Sequence, residues 1–244
     1  MVANLYGSPT WTDTSPIPDL SLVDRMFLVG HDTTRGTPLV GLDVLGIGLI
    51  GAALIELLRG QCIGLKYNGQ VFRTAEHGHN DDAAQYVLGC VLSFEDQQRR
   101  DPRLEDKTAA EWISELRDHL YVGVATTLIR RGIVAEQKSG IRPGSRGSRF
   151  IPSQREQKDA AEEANAWCYR LFRSPHLAGQ AGVLPVQFAC LVGAMGIGAS
   201  LTALPPSEVT AGIPQLLNEC EIQSALVVRE VHSATSKLAM TPRR

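Results

Sequence analysis

The longest apolar run in the chain covers residues 44–58, where Glu56 is the single charged side chain. Fifteen residues suffice for a buried helix, but a helix that crosses a bilayer needs about 20. The run predicts a central helix over about 44–59 that is apolar on nearly all sides. We expect the following side chains to be largely buried: Leu45, Leu49, Ala52, Ala53, Leu57 and Trp112.

A second apolar pattern recurs at helical spacing and predicts a long amphipathic helix over about 108–131. Its apolar positions include Trp112, Leu116, Leu120 and Val124. Further helices are predicted at about 21–30, 82–92, 154–172 and 184–195, with one or two more within 214–239. The charged stretch 94–107 is predicted to be a link between helices.

Two short alternating segments interrupt the helical pattern. Residues 62–72 surround Asn68 and Gly69, the dipeptide most typical of a tight β-hairpin turn. Residues 133–152 place Gly- and Pro-rich turn residues between two short strands. The predicted fold class is therefore mainly α, a compact helical bundle with two small β-hairpins. We expect one domain at 21–240 after a flexible leader at 1–20.

Composition narrows the choice of function only slightly. The formal net charge of −2 over 244 residues gives no global attraction to nucleic acid or to an anionic membrane. Five cysteines without CxxC spacing predict reduced thiols. The N-terminus shows no signal-peptide pattern, so we expect a cytoplasmic protein.

The segment GIGLIG at 46–51 matches the G-x-G-x-x-G pattern of dinucleotide-binding folds. That motif requires an apolar strand before the glycines and an alternating series of strands and helices after them. Here Asp43 precedes the glycines and no such series follows. We therefore interpret these glycines as helix-packing positions and expect no cofactor.

The segment EHGHNDD at 76–82 contains the opening of an H-x-H-x-D-H metal motif, with His77, His79 and Asp81. Imidazole and carboxylate groups suit zinc. The sixth position is Asp82 instead of histidine, so the preferred interpretation is a polar turn that caps the next helix through Asn80 or Asp81. We expect no stoichiometric metal, and a metal-dependent hydrolase remains a minor alternative.

Local charge is concentrated between residues 130 and 158, where eight basic residues stand against two acidic ones. Arginines beside apolar side chains suit an anionic membrane surface. A helix followed by a basic β-hairpin also suits a winged-helix nucleic-acid-binding element. A solvated loop without specific function is the third interpretation. The candidate lipid-binding residues are Lys138, Arg142, Arg146, Arg149, Phe150 and Ile151.

The order of these segments resembles the Golgi phosphoprotein 3 family. The resemblance rests on SLVDRMFLVGHD at 21–32, LGIGLIGAALIELLRGQCIGL at 45–65, AEWISELRDHLYVGVATTLIRRGIV at 110–134 and SRFIP at 148–152. It extends over about residues 21–240 and implies a mostly helical domain without catalytic activity. The family's TGD loop reads HGHND in this chain.

The resemblance also implies a role at membranes. Eukaryotic members bind phosphatidylinositol 4-phosphate in a basic pocket, insert a hydrophobic hairpin into the bilayer and act as adaptors for membrane enzymes. The family's lipid-binding positions fall at Gly41, Ile50, Asp118 and Tyr121, none of which keeps the family's residue type. We therefore expect binding to depend on total anionic charge, with little preference for that phosphoinositide.

Taken together, these patterns predict a non-enzymatic peripheral membrane or adaptor protein, cytoplasmic or on the inner face of the membrane. The expected partners are anionic lipids, a membrane-protein client and a second copy of the chain. The alternatives are a winged-helix-like nucleic-acid-binding protein and the hydrolase built on His77, His79 and Asp81.

Overall fold

The central element of the fold is the apolar helix predicted from the longest hydrophobic run. In a computed structural model that describes residues 20–75, 78–137 and 148–240, this helix, α2, buries fourteen of its eighteen residues. It packs against α1, α3, α4, α7 and α10. The six side chains predicted to be buried are all 2% exposed or less. The helices are α1 Leu22–Val29, α2 Leu42–Arg59, α3 Asp82–Arg100, α4 Ala109–Arg130, α5 Arg155–Arg173, α6 Ala178–Ala181, α7 Val183–Ala194, α8 Gly198–Thr202, α9 Pro206–Glu219 and α10 Ile222–Met240.

Three of these helices begin at side chains that cap them. Ser21 and Asp24 form a capping box at the start of α1, and Thr108 and Glu111 form another at the start of α4. The side chain of Asp81 accepts a hydrogen bond from the backbone of Ala84 and caps α3, as predicted. Each cap satisfies backbone N–H groups that the first helical turn leaves without a partner.

The glycines of GIGLIG lie inside α2 and allow close helix packing. A Cβ atom at Gly46 would collide with the backbone oxygen of Arg117 on α4, and one at Gly51 would collide with Val231 on α10. The interpretation as packing positions is therefore confirmed.

The structure corrects two predicted boundaries. Residues 94–100 continue α3 instead of forming a link, because Phe94 packs edge-on against Trp112 and the following residues are compatible with a helix. At the other end of the chain, the sequence predicts a helix that starts at Pro214, but α9 begins at Pro206 and continues through Pro214. Proline at the first helical position loses no hydrogen bond, so Pro206 suits this start.

Both predicted hairpins form as two-stranded antiparallel sheets. The first pairs β1 Ile63–Leu65 with β2 Val71–Arg73, so that Gly64 is opposite Phe72. The second pairs β3 Val134–Gln137 with β4 Arg149–Pro152, so that Glu136 is opposite Phe150. Among the helices that the structure describes, none has the length and apolar character needed to cross a membrane.

Candidate functional site

Three of the predicted lipid-binding residues lie in the described part of the chain, and they differ in exposure. Arg149 begins β4 with an exposed side chain, and Ile151 is half-buried on the same strand. Lys138, Arg142 and Arg146 lie outside the described residues. Phe150 is only 1% exposed. The expectation that its ring lies at the surface beside the arginines is therefore wrong.

Phe150 is buried because β4 directs it into an aromatic cluster between α1 and α4. Its ring packs edge-on against Phe27, His31 and Tyr121, with centroid distances of 5.4, 5.6 and 6.1 Å. The alternation of a strand places Arg149 on the opposite face. The hairpin is thus anchored by the aromatic ring that sequence reasoning had assigned to the membrane.

A loop between α1 and α2 brings another arginine to the second hairpin. The backbone N–H of Phe150 donates to the carbonyl of Gly36 at 2.8 Å. Gly36 has φ +67°, and a Cβ atom there would lie 2.8 Å from the Phe150 nitrogen. Because Arg35 precedes Gly36 and Arg149 precedes Phe150, the backbones of the two exposed arginines lie close together. We call Arg35, Arg149 and Ile151 the hairpin face.

Arg35 was not selected from the sequence, because one arginine in a short polar loop carries no pattern. The Asp32 carboxylate accepts hydrogen bonds from the backbone N–H groups of Thr34 and Arg35, which orders the loop. These hydrogen bonds lower the pKa of Asp32. Asp32 therefore stays ionised and adds one negative charge beside the hairpin face.

His31 forms the polar centre of the aromatic cluster. Its Nδ1 lies 2.7 Å from the carbonyl oxygen of Phe27, and its Nε2 lies 3.1 Å from the hydroxyl of Tyr121. Burial lowers the pKa of His31 to about 4, which the Phe27 contact partly opposes. The neutral ring therefore donates to Phe27 and accepts from Tyr121.

The four positions at which the family resemblance implies lipid binding supply no cation. Tyr121 belongs to the buried cluster, and Ile50 is fully buried in α2. Gly41 is exposed at the start of α2. Asp118 is exposed on α4, where its carboxylate lies 3.4 Å from the Arg117 guanidinium.

The residues of the predicted metal motif occupy the approach to α3. His77 lies outside the described residues. The Nδ1 atom of His79 accepts a hydrogen bond from the backbone of Asp81 at 3.1 Å, while the Asp81 carboxylate caps the helix. Both groups therefore stabilise the local turn. Within the described ranges, no cluster of three or more His, Cys, Asp or Glu residues has the arrangement of a metal site.

An open cleft of about 660 Å³ lies between α3 and α4. Its polar lining includes Asp24, Asp81, Asp82, His119 and Arg130. Arg130 pairs with Asp82 at 2.6 Å on the rim. The three carboxylates stand against the guanidiniums of Arg130 and of Arg131, the partner of Asp24, which leaves a negative balance of one charge.

Asp24 is the most unusual group in this cleft. Its side chain is 4% exposed and pairs with Arg131 at 2.8 Å. Burial raises the pKa of Asp24 to about 6, although Arg131 pulls it down. The sequence signal was a pair of charged residues, Asp24 and Arg25, inside a helix whose other residues are apolar, and sequence reasoning did not assign Asp24 a role.

These features define an α-helical bundle protein with a basic hairpin face and an acidic cleft. A family model described as Golgi phosphoprotein 3 (GPP34) matches residues 22–237, nearly the whole chain. The chain belongs to the Golgi phosphoprotein 3 family. No curated protein matches it.

Proposed function

We propose that the protein is a non-enzymatic peripheral membrane protein that binds anionic lipids through the hairpin face and the basic residues between β3 and β4. The observation that carries the proposal is the Phe150–Gly36 hydrogen bond, which holds the backbones of Arg35 and Arg149 close together. Lys138, Arg142 and Arg146 add charge from the connecting segment. Each basic residue near an anionic surface contributes about 1 kcal/mol.

Selectivity for phosphatidylinositol 4-phosphate is not part of this proposal. The positions that hold that lipid in eukaryotic relatives, as the resemblance implies, are a glycine, a buried isoleucine, an acid and a buried tyrosine here. Binding by the hairpin face relies on total surface charge, because exposed arginines attract any anionic headgroup and salt screens that attraction.

The nucleic-acid alternative is less well supported than membrane binding. A winged-helix protein places an exposed recognition helix in the major groove. Here α4 packs against α1, α2, α3 and α10, and its exposed positions include Glu111, Glu115 and Asp118. Nucleic-acid-binding proteins contact the phosphate backbone through Lys and Arg. Carboxylates on that side of α4 would instead repel it.

Liposome co-sedimentation tests the proposal. We expect binding to phosphatidylglycerol and cardiolipin vesicles, weak binding to phosphatidylcholine and a decline as salt rises. Arg142→Glu/Arg146→Glu/Arg149→Glu should abolish binding, and Arg35→Glu should weaken it. The control Arg99→Glu/Arg100→Glu/Arg103→Glu changes the net charge equally. Its arginines are exposed at the end of α3 and just after it.

Four results would contradict this proposal. Unchanged binding in the first triple variant would show that the hairpin does not bind the membrane. An equal loss of binding in the control variant would show that only the net charge of the protein matters. A strong preference for phosphatidylinositol 4-phosphate at matched charge would require a specific pocket. Retention of duplex DNA at physiological salt without vesicle binding would favour the nucleic-acid alternative.

The α3–α4 cleft supports a second part of the proposal, an adaptor role. We infer that its carboxylates accept a cationic segment of a membrane-protein client, because a negative lining attracts Lys or Arg. A labelled tetra-arginine peptide should bind more tightly than its tetra-citrulline counterpart. Asp81→Asn/Asp82→Asn should remove the difference while Asn keeps the cap of α3. Equal binding of both peptides would exclude this use of the cleft.

A further inference from the structure

Two thiols face each other where α7 meets the end of α9. Cys190 lies within α7, and Cys220 occupies the junction between α9 and α10. Their Sγ atoms are 3.5 Å apart, and both side chains are free thiols. The contact joins positions thirty residues apart in the chain.

The local backbone permits these sulfurs to approach further. A disulfide has an S–S length of about 2.05 Å, so the two atoms must close by about 1.5 Å from their present 3.5 Å. Cys220 has extended backbone angles, φ −77° and ψ 147°, between Glu219 and Ile222. Because Cys220 lies between two helices, we expect side-chain rotation and a small adjustment of this junction to bring the sulfurs together.

The two thiols differ in reactivity. Cys220 is partly exposed, whereas Cys190 is fully buried. The hydrogen bond between them raises the pKa of Cys190, as does burial, and it lowers the pKa of Cys220. Cys220 is therefore the thiol that ionises first, at the position that solvent reaches.

We propose that Cys190 and Cys220 form a disulfide when the folded protein meets a hydroperoxide, which makes this contact a reversible oxidation site. The Cys220 thiolate attacks a peroxide oxygen, the O–O bond breaks, and Cys220 becomes a sulfenic acid. The departing hydroxide or alkoxide takes up the proton that Cys220 released.

The Cys190 sulfur then attacks the sulfenic sulfur. An S–S bond forms, the S–O bond breaks, and water leaves with the proton of the Cys190 thiol. Two thiols together lose two electrons, and the peroxide gains both. The cross-link ties α7 to the α9–α10 junction and limits the freedom of the unfolded chain, so the oxidised protein melts at a higher temperature than the reduced one.

To test this proposal, the whole folded chain is treated with hydrogen peroxide. It is then denatured, alkylated and analysed by peptide mapping. The reduced protein has five free thiols. We expect this number to fall by two, and we expect one disulfide-linked pair of peptides that joins Cys190 to Cys220. Dithiothreitol should restore both. In Cys190→Ala, the reaction should stop at a sulfenic acid on Cys220 that dimedone traps. Cys90→Ser is the matched control, because Cys90 is also partly exposed, and it should still form the disulfide.

Two outcomes overturn the proposal. One is a wild-type protein that keeps all its thiols or carries a sulfenic acid on Cys220 without a cross-link. The other is a disulfide that joins a different pair, such as Cys168 with Cys190. If Cys190→Ala fails to fold, Cys220→Ser provides the second variant, and retention of its four remaining thiols is the expected result.

Discussion

The two β-hairpins follow the same plan but use their aromatic residue in opposite ways. Each follows a helix that ends in Arg-Gly, and each carries a phenylalanine at the second position of its returning strand. In the first hairpin, Val71 is buried and Phe72 is 37% exposed, with its ring over Gly64. In the second, Arg149 is exposed and Phe150 is buried.

The difference shows that burial of a strand's side chains depends less on its composition than on which alternate positions face the core. Successive side chains point to opposite faces, so a change of one position exchanges core and solvent. Short strands supply too few residues for the alternation to reveal which face is buried.

Loss of the second hairpin's aromatic anchor should have the largest effect. Phe150→Ala should lower the free energy of unfolding by about 3–5 kcal/mol, because it leaves a cavity among packed rings. Phe72→Ala should cost about 1 kcal/mol, since its side chain is already partly hydrated. Urea denaturation followed by tryptophan fluorescence measures both. Equal losses would contradict the assignment of the two faces.

Acid should weaken the cluster around the second hairpin through His31. The folded-state pKa of about 4 lies below the ordinary 6.5, so the unfolded chain binds the proton first and stability falls as pH drops from 6.5 to 4. The full difference between the two pKa values corresponds to a loss of about 3 kcal/mol in the free energy of unfolding.

His31→Gln is the reference for this measurement, because it removes the titrating ring and keeps Asp24. Asp24 acts in the opposite sense, since its raised pKa lets the folded state take up a proton first. Urea midpoints across this pH range should show wild type losing stability relative to His31→Gln. Parallel curves would show that His31 does not titrate on unfolding.

Substitution of a glycine with positive φ should cost more stability at the second hairpin than at the first. Gly36→Ala should cost about 3 kcal/mol, because the left-handed backbone is strained and the added methyl meets Phe150 at 2.8 Å. Gly69→Ala in the turn of the first hairpin should cost about 1 kcal/mol, since its Cβ has open space. Thermal unfolding measures both, and a larger loss at Gly69 would reverse the ranking.

The tip of the first hairpin should contribute least. Lys66 pairs with Asp106 at 2.7 Å across a partly exposed surface. Lys66→Ala should therefore cost less than about 1 kcal/mol, and high salt should reduce the loss further. Tyr67→Ser, at a fully exposed position, should change the free energy of unfolding by less than about 0.5 kcal/mol. A large loss at either position would show that the tip has contacts within the protein.

Much of the fold was predictable where local signals agreed. The cap at Asp81, the turn at Asn68 and Gly69 and the apolar run of α2 each depend on residues that are close together in the chain. The continuation of α3 past Phe94 was missed, because residues 95–100 carry no apolar side chain that would show a helical period, and the contact of Phe94 with Trp112 joins distant positions. The candidate site was predicted less well. Its basic residues were visible in the sequence, but the burial of Phe150 and the approach of Arg35 were not.

The amino-acid sequence alone was enough to predict the family, the mainly helical class, the central position of α2 and the two turns, because these depend on periodicity and on short-range backbone chemistry. The folded chain was needed to show which face of β4 enters the core, that α4 and α10 pack close to the glycines of α2, and that Cys190 contacts Cys220. Those outcomes depend on contacts between residues distant in the chain, and the positions of such partners follow from the packing of the whole bundle.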